Sequence, residues 1–286
     1  MFSASFLVFT LLLQALLPGN VLAHTPLFHC DINDKKIDLS AWHHKYDDRC
    51  FFLGRNNPKN ENTHTINTIL VEMRKEPEWA AYLLEKAHKQ GTAFCIEDRA
   101  DGCRGYFDYG YNIIAVREKL DLFTKVIIFI HELRHVDQLS RGFERSLDYD
   151  ANEMARMTIA IEADANAVLA LYTWRLKQKG YPEAWDKLFE LSRYSDIYKS
   201  FKAEILSSGD ELKASRAAFI QWYKSDWRTT SYSRNSIGGY FDMLDDTNLI
   251  QRYDKLPEDY FNDLCILPDG RNYGCHLTDE IKYLGK

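Results

Sequence analysis

Residues 126–138, VIIFIHELRHVDQ, set the tightest limit on how this chain can fold. An apolar run passes without a break into two histidines, a glutamate, an arginine and an aspartate. Leu122, Phe123, Val126, Ile127 and Ile130 recur at helical spacing, which predicts one amphipathic helix. Positions four apart on a helix are neighbours, so the His131 and His135 imidazoles share a face, one turn apart. Glu132 lies about 100° further round. The His131-Glu132-x-x-His135 pattern therefore suits a metal held by both rings, with the glutamate in reach of a water on that metal. A bare histidine pair on an exposed helix would read the same way. A third donor from elsewhere in the chain has to decide.

Gly142 ends the pattern, and residues 146–150 are polar. A long helix is expected over residues 151–179, stopped by Gly180 and Pro182. Met154, Met157, Ile161, Ala165, Val168 and Tyr172 keep its period near 3.6. Glu162 sits beside that stripe in IEADANAV, among alanines that let another helix approach. A carboxylate there is costly without a partner, and a metal on the first helix would supply one. Two acids compete, Glu162 and Asp164; two residues turn about 200° on a helix, so only one can face the histidines. Asn166, four after Glu162, is expected to accept the second ring N–H of a ligating histidine, which favours Glu162 as third ligand. Gln138 lies one turn beyond His135 and is read as a structural hydrogen-bonding residue or a group orienting substrate or water. Arg134 is read with Asp137 or Glu153 as its acid partner.

His131-Glu132-x-x-His135 followed by Glu162-x-x-Ala165-Asn166 resembles the gluzincin layout. More narrowly, HELRH with a later IEADA is similar to an uncharacterised family of bacterial metallopeptidases. The similarity runs from the Tyr111 strand to the Phe219-x-x-Trp222-Tyr223 stretch and is specific at the two helices. It implies a zincin-like, mostly α (α+β) fold, with a small sheet before the HExxH helix, a second Glu-bearing helix and a helical C-terminal half. Many gluzincins carry aspartate where this chain has Asn166. Three protein ligands with an open fourth position suit a catalytic Zn²⁺ on His131, His135 and Glu162. Glu132 would then be the general base for a water attacking a peptide carbonyl. A metal-binding protein without turnover and a helical interaction protein are the competing classes.

Residues 1–23 contain no Asp, Glu, Lys or Arg. An apolar run from Phe6 to Leu17, the breakers Pro18 and Gly19, and the small residues Val21 and Ala23 predict a signal peptide cleaved after Ala23. Its apolar core is short for a span of about 20 residues, which weighs against an uncleaved anchor. No later apolar run could cross a membrane. All six cysteines follow this segment, as expected of an exported, periplasmic or secreted chain held by disulfides. Short turn-rich loops favour Cys95–Cys103 and Cys265–Cys275, leaving Cys30–Cys50. A net charge of −6 weighs against nucleic acid, so the expected partner is a peptide or protein substrate, with oligomeric state left open.

The expected organisation is a disulfide-containing region over residues 24–104, a zincin-like core over 105–180 and a helical region over 181–286. Residues 55–65 are polar and read as a loop; residues 66–89 read as two helices, the second opened by Pro77. His43-His44 with Asp47-Asp48 reads as a solvated loop before a second metal cluster. Residues 111–116 read as a strand, either the edge along which a peptide lies or an interior one. The aromatic stretch from Phe219 to Phe241 reads as a core-lining helix and turn, or as a lid. Tyr232 within it is the first candidate for a donor to the tetrahedral oxyanion.

Overall fold

The computed structural model describes residues 49–97 and 104–275. The expected signal segment, the His43-His44-Asp47-Asp48 cluster, Cys30 and Cys103 lie outside the described residues. Strand β1 (Cys50–Phe52) is followed by helices α1 (Glu61–Met73) and α2 (Pro77–Gln90). Helix α1 begins inside the stretch expected to be a loop, because Asn60 and Thr63 form a capping box. The Thr63 N–H donates to Asn60 Oδ1 (3.0 Å), and the Asn60 N–H donates to Thr63 Oγ1 (3.2 Å). Pro77 opens α2, where its missing N–H costs nothing.

Strands β2 (Ala93–Glu97), β3 (Gly105–Asp108) and β4 (Ile113–Arg117) complete a sheet of order β1-β2-β4-β3. The β2/β4 pair is parallel and the other two are antiparallel. The strand expected at 111–116 is thus interior, and β1 and β3 are the edges. It starts at Ile113 because Asn112 takes a left-handed φ of 53°. There the Asn112 amide donates to Gln90 O (2.7 Å) and accepts from the Thr92 hydroxyl (2.8 Å). Side chains alternate across the sheet: Phe94, Phe107, Ile114 and Val116 join the helical core, while Tyr106, Ile113 and Ala115 form a separate cluster on the other face.

Cys50 and Cys95 face each other in the β1/β2 register and form a disulfide. This corrects both the Cys30–Cys50 and the Cys95–Cys103 expectations. Antiparallel pairing brings together two cysteines that sequence proximity alone would not have joined. Cys265–Cys275 pairs as expected. The two disulfides indicate an oxidising environment.

Helix α3 (Leu122–Ser140) carries the histidine motif and is capped by Asp121, which accepts from the Thr124 N–H at 3.0 Å. Helix α4 (Ala151–Gln178) is capped by Asp150, which accepts from the Asn152 N–H at 2.8 Å. Buried on nearly every side, α4 is the central element of the molecule. It packs on α3 and on α5 (Glu183–Leu188), α6 (Ser195–Ser208), α7 (Glu211–Tyr223) and α8 (Asp226–Thr247). The result is mostly helical with one small sheet, the expected α+β class. One apolar cluster runs from Ile66 to Cys275. Among the described residues, no helix is long and apolar enough to cross a membrane.

Candidate metal centre

Helix α3 buries its motif instead of exposing it: His131, Glu132 and His135 are all buried, so the reading as a surface histidine pair fails. Glu162 on α4 points between the two rings. The His131 and His135 Nε2 atoms are 3.0 Å apart. Glu162 Oε2 lies 3.4 Å from His131 Nε2, and its Oε1 lies 3.4 Å from His135 Nε2. A divalent ion about 2.0–2.1 Å from each of three donors at tetrahedral angles would space them about 3.3 Å apart. The donors already stand near that spacing. Glu162 Oε2, buried, makes no hydrogen bond of good geometry beyond its 3.4 Å contact with His131 Nε2, a weak satisfaction for a buried carboxylate oxygen. Among the described residues, His131, His135 and Glu162 form a buried group able to hold a metal ion.

Electrostatics sort the four groups. Burial pushes His131 down to about 4, against the pull of Glu162. Burial also opposes charge on His135, but the Glu162 carboxylate outweighs it and raises that ring to about 9. Glu162 in turn is held well below the usual carboxylate range by His135 and His131, despite its burial. Without a metal at neutral pH, the cluster therefore keeps one proton between its rings, where a cation's charge belongs. Burial pushes Glu132 up to about 8; His135 and the Phe107 backbone N–H act the other way, and Glu162 adds to the rise. The Phe107 N–H comes from edge strand β3, so the sheet edge and the motif helix meet at the Glu132 carboxylate.

Asn166 does not serve the histidines. Its Nδ2 donates to the Glu162 backbone carbonyl (2.9 Å) and its Oδ1 accepts from the Tyr198 hydroxyl (2.9 Å). A short amide on a helix reaches back to the carbonyl four residues earlier, which takes it away from the facing helix. The oxygen at His135 Nδ1 belongs to Gln138, at 2.7 Å. Asp164, the competing third ligand, is turned from the metal group and pairs with Arg134 at 2.7 Å. Arg134 also pairs with Asp137 (2.6 Å), one of its two expected partners; Glu153 pairs with Arg156 instead. Gln138 was legible as a neighbour of His135 one turn on. Nothing local marked its link to Asp164, which needs the packing of α3 on α4.

Tyr232 lies on α8, fully buried, with its hydroxyl 2.8 Å from that of Tyr194. Both tyrosines feel the charge of Glu162, and Tyr232 also feels Glu132, so α8 and the segment before α6 border the site. Tyr109, just after β3, feels both glutamates from the sheet side. His131, His135 and Glu162 come together in one buried group with Glu132 beside them, while Tyr232 touches Tyr194 and is near enough to feel the two glutamate charges.

No curated protein and no solved structure matches the chain. A family model does, over residues 43–275, from ahead of β1 to the last disulfide. On that match the chain belongs to the family described as "Putative metallopeptidase family (DUF6782)".

Proposed function

We propose that the protein is an exported zinc-dependent metallopeptidase that hydrolyses peptide bonds. The observation that carries the reading is the buried convergence of two imidazole nitrogens and one carboxylate beside a fourth group, Glu132, whose carboxyl burial makes basic. Two imidazoles and one carboxylate suit zinc among the divalent metals. When bound, zinc supplies Lewis acidity toward a carbonyl oxygen and toward water.

The rest is the work of side chains. His131, His135 and Glu162 hold the ion on a rigid pair of helices. Glu132 accepts the proton of the attacking water and hands it to the leaving amine, with the Phe107 N–H fixing the carboxylate. Tyr232 and Tyr194 share a hydrogen bond of 2.8 Å in which either hydroxyl can be the donor, and the orientation with Tyr194 donating leaves the Tyr232 proton for the developing oxyanion. Removal of residues 1–23 on export belongs to the same reading and is supported by the disulfides Cys50–Cys95 and Cys265–Cys275.

The test is metal content per purified, disulfide-intact chain, for the native protein and for Glu162→Ala. The expected result is about one zinc in the first and a sharp loss in the second. A peptide-library screen, with Glu132→Gln as the inactive control, then reads turnover. No bound metal in either protein with zinc freely supplied would overturn the reading. Bound zinc without turnover on any peptide would reduce it to a metal-binding protein.

A further inference from the structure

The disulfide loop that closes the chain is built into the wall behind the metal group. Cys265 and Cys275 are bonded, Ile266 and Asn272 form a β-bridge, and the Leu267 N–H donates to Arg271 O at 2.8 Å. Two contacts tie this loop to α3 and α4. Arg134 Nη2, fully buried, donates to the backbone oxygens of Leu264 (2.8 Å) and Ile266 (2.9 Å). The Tyr273 hydroxyl donates to Asp164 Oδ1 at 2.7 Å.

Asp164 is the hub. Its Oδ1 accepts from Tyr273 and from Arg134 Nη2 (3.1 Å), and its Oδ2 from Arg134 Nε (2.7 Å) and Gln138 Nε2 (2.6 Å). Gln138 Nε2 donates as well to the Ile161 carbonyl at 2.9 Å. Both protons of that amide are thus committed to groups that only accept, and Gln138 Oε1 is left facing His135 Nδ1 at 2.7 Å. An amide oxygen can only accept, so His135 must carry a proton on Nδ1. That leaves the lone pair of its Nε2 for a metal.

Resting on the metal reading above, we propose that the C-terminal disulfide loop is a working part of the metal centre. Tyr273 is a positioning residue: through Asp164 and Gln138 it holds the ring and the tautomer of His135. Four donors fill the Asp164 carboxylate; without Tyr273 its Oδ1 keeps only the longer 3.1 Å bond from Arg134 Nη2, so the carboxylate tilts toward Arg134 Nε and shifts the Gln138 amide bonded to Oδ2. The disulfide keeps Tyr273 at that distance.

The experiment measures zinc affinity of the full chain by competition with a chromophoric chelator, together with the visible spectrum of the Co²⁺ form and the melting temperature of the metal-free form. The proteins compared are the native chain, Tyr273→Phe, Gln138→Met, the pair combined, and Tyr172→Phe. The last deletes a buried tyrosine hydroxyl bonded to the Met73 carbonyl, outside this network. Tyr273→Phe and Gln138→Met should each weaken zinc binding about 10-fold or more and alter the Co²⁺ spectrum. The combined variant should lose less than the sum, because both act along one path. Tyr172→Phe should melt lower with affinity and spectrum unchanged. A Tyr273→Phe protein that melts lower yet binds zinc as tightly as the native chain, with the same Co²⁺ spectrum, overturns the positioning role alone. A native chain that binds no metal overturns the reading beneath it.

Discussion

Two histidines one turn apart on the same helix differ in charge, because the Glu162 carboxylate outweighs burial at His135 and does not at His131. His135 faces Gln138 Oε1 and the Glu162 carboxylate and is held up to about 9, whereas burial takes His131 down to about 4. A metal must displace the His135 proton, so affinity should rise with pH up to about 9, about tenfold per unit for each proton released. Glu132, at about 8, also holds a proton at neutral pH and should lose it beside a cation. Calorimetry in buffers of different ionisation enthalpy should therefore record between one and two protons released per zinc at pH 7, and fewer for Glu132→Gln. Release of none would contradict the charge assignment. Stability of the metal-free chain gives a second check. The folded-state pKa of Glu132 lies above its ordinary value of 4.5, so the folded chain holds a proton that the unfolded chain loses between pH 4.5 and about 8. Stability falls as pH rises through that window. Glu132→Gln removes this contribution, so denaturant titrations should show the variant gaining on the native chain at pH 8 and not at pH 4.5.

Edge strand β3 crosses α3 closely at Gly105. A Cβ on Gly105 would lie 2.5 Å from Ile128 Cγ2 and 2.9 Å from the Ala115 carbonyl, a neighbour in the sheet ladder. Neither strand nor helix can yield without shifting the Phe107 N–H that bonds Glu132. Gly105→Ala should cost about 1–3 kcal/mol in urea denaturation, the usual penalty for overpacking. It should also lower turnover more than zinc content, since the contact serves the base and not the ligands. A neutral Gly105→Ala would contradict this close approach of strand and helix. Of the two readings of the 111–116 segment, edge or interior, the sheet takes the interior one. The left-handed Asn112 turns the chain back so that β4 inserts between β2 and β3.

Across the whole molecule, one apolar cluster joins the first helix pair to the last disulfide, so sheet, motif helix and C-terminal helices should unfold together. The polar counterpart of that cluster is centred on Arg134, which bridges Asp137, Asp164 and two carbonyls of the closing loop. Arg134→Met leaves two buried carboxylates short of their main cation, although Arg141 still reaches Asp137 at 3.1 Å. The expected cost is about 3–5 kcal/mol, the range for breaking a buried pair from one side. Calorimetry should show it as one lowered transition and not as early release of the C-terminal half. The Arg228 guanidinium plays a similar part among the later helices, binding Asp196 (2.7 Å) and the carbonyls of Arg193, Trp222 and Gln221.

How much was legible in the sequence follows from the range of each interaction. Helical periodicity and capping act over a few residues. The motif helix, its long partner and the short Cys265–Cys275 loop could all be read from spacing, whereas Glu162 was preferred to Asp164 through a role for Asn166 that the packing gives to Gln138. The helix from Glu61 was legible too, in the Asn60 and Thr63 box, but its polar residues resembled a loop. Tertiary structure decided which cysteine Cys50 meets, because strand register sets that and the two lie 45 residues apart. It also decided that Gln138, and not Asn166, serves His135. Both amides sit on the correct face of their helices. An amide can satisfy only the partners packing brings within about 3 Å, and those come from α4, α6 and the closing loop. Local geometry put two imidazoles on one helix face and a carboxylate on another; long-range packing decided that the three meet and what holds them there.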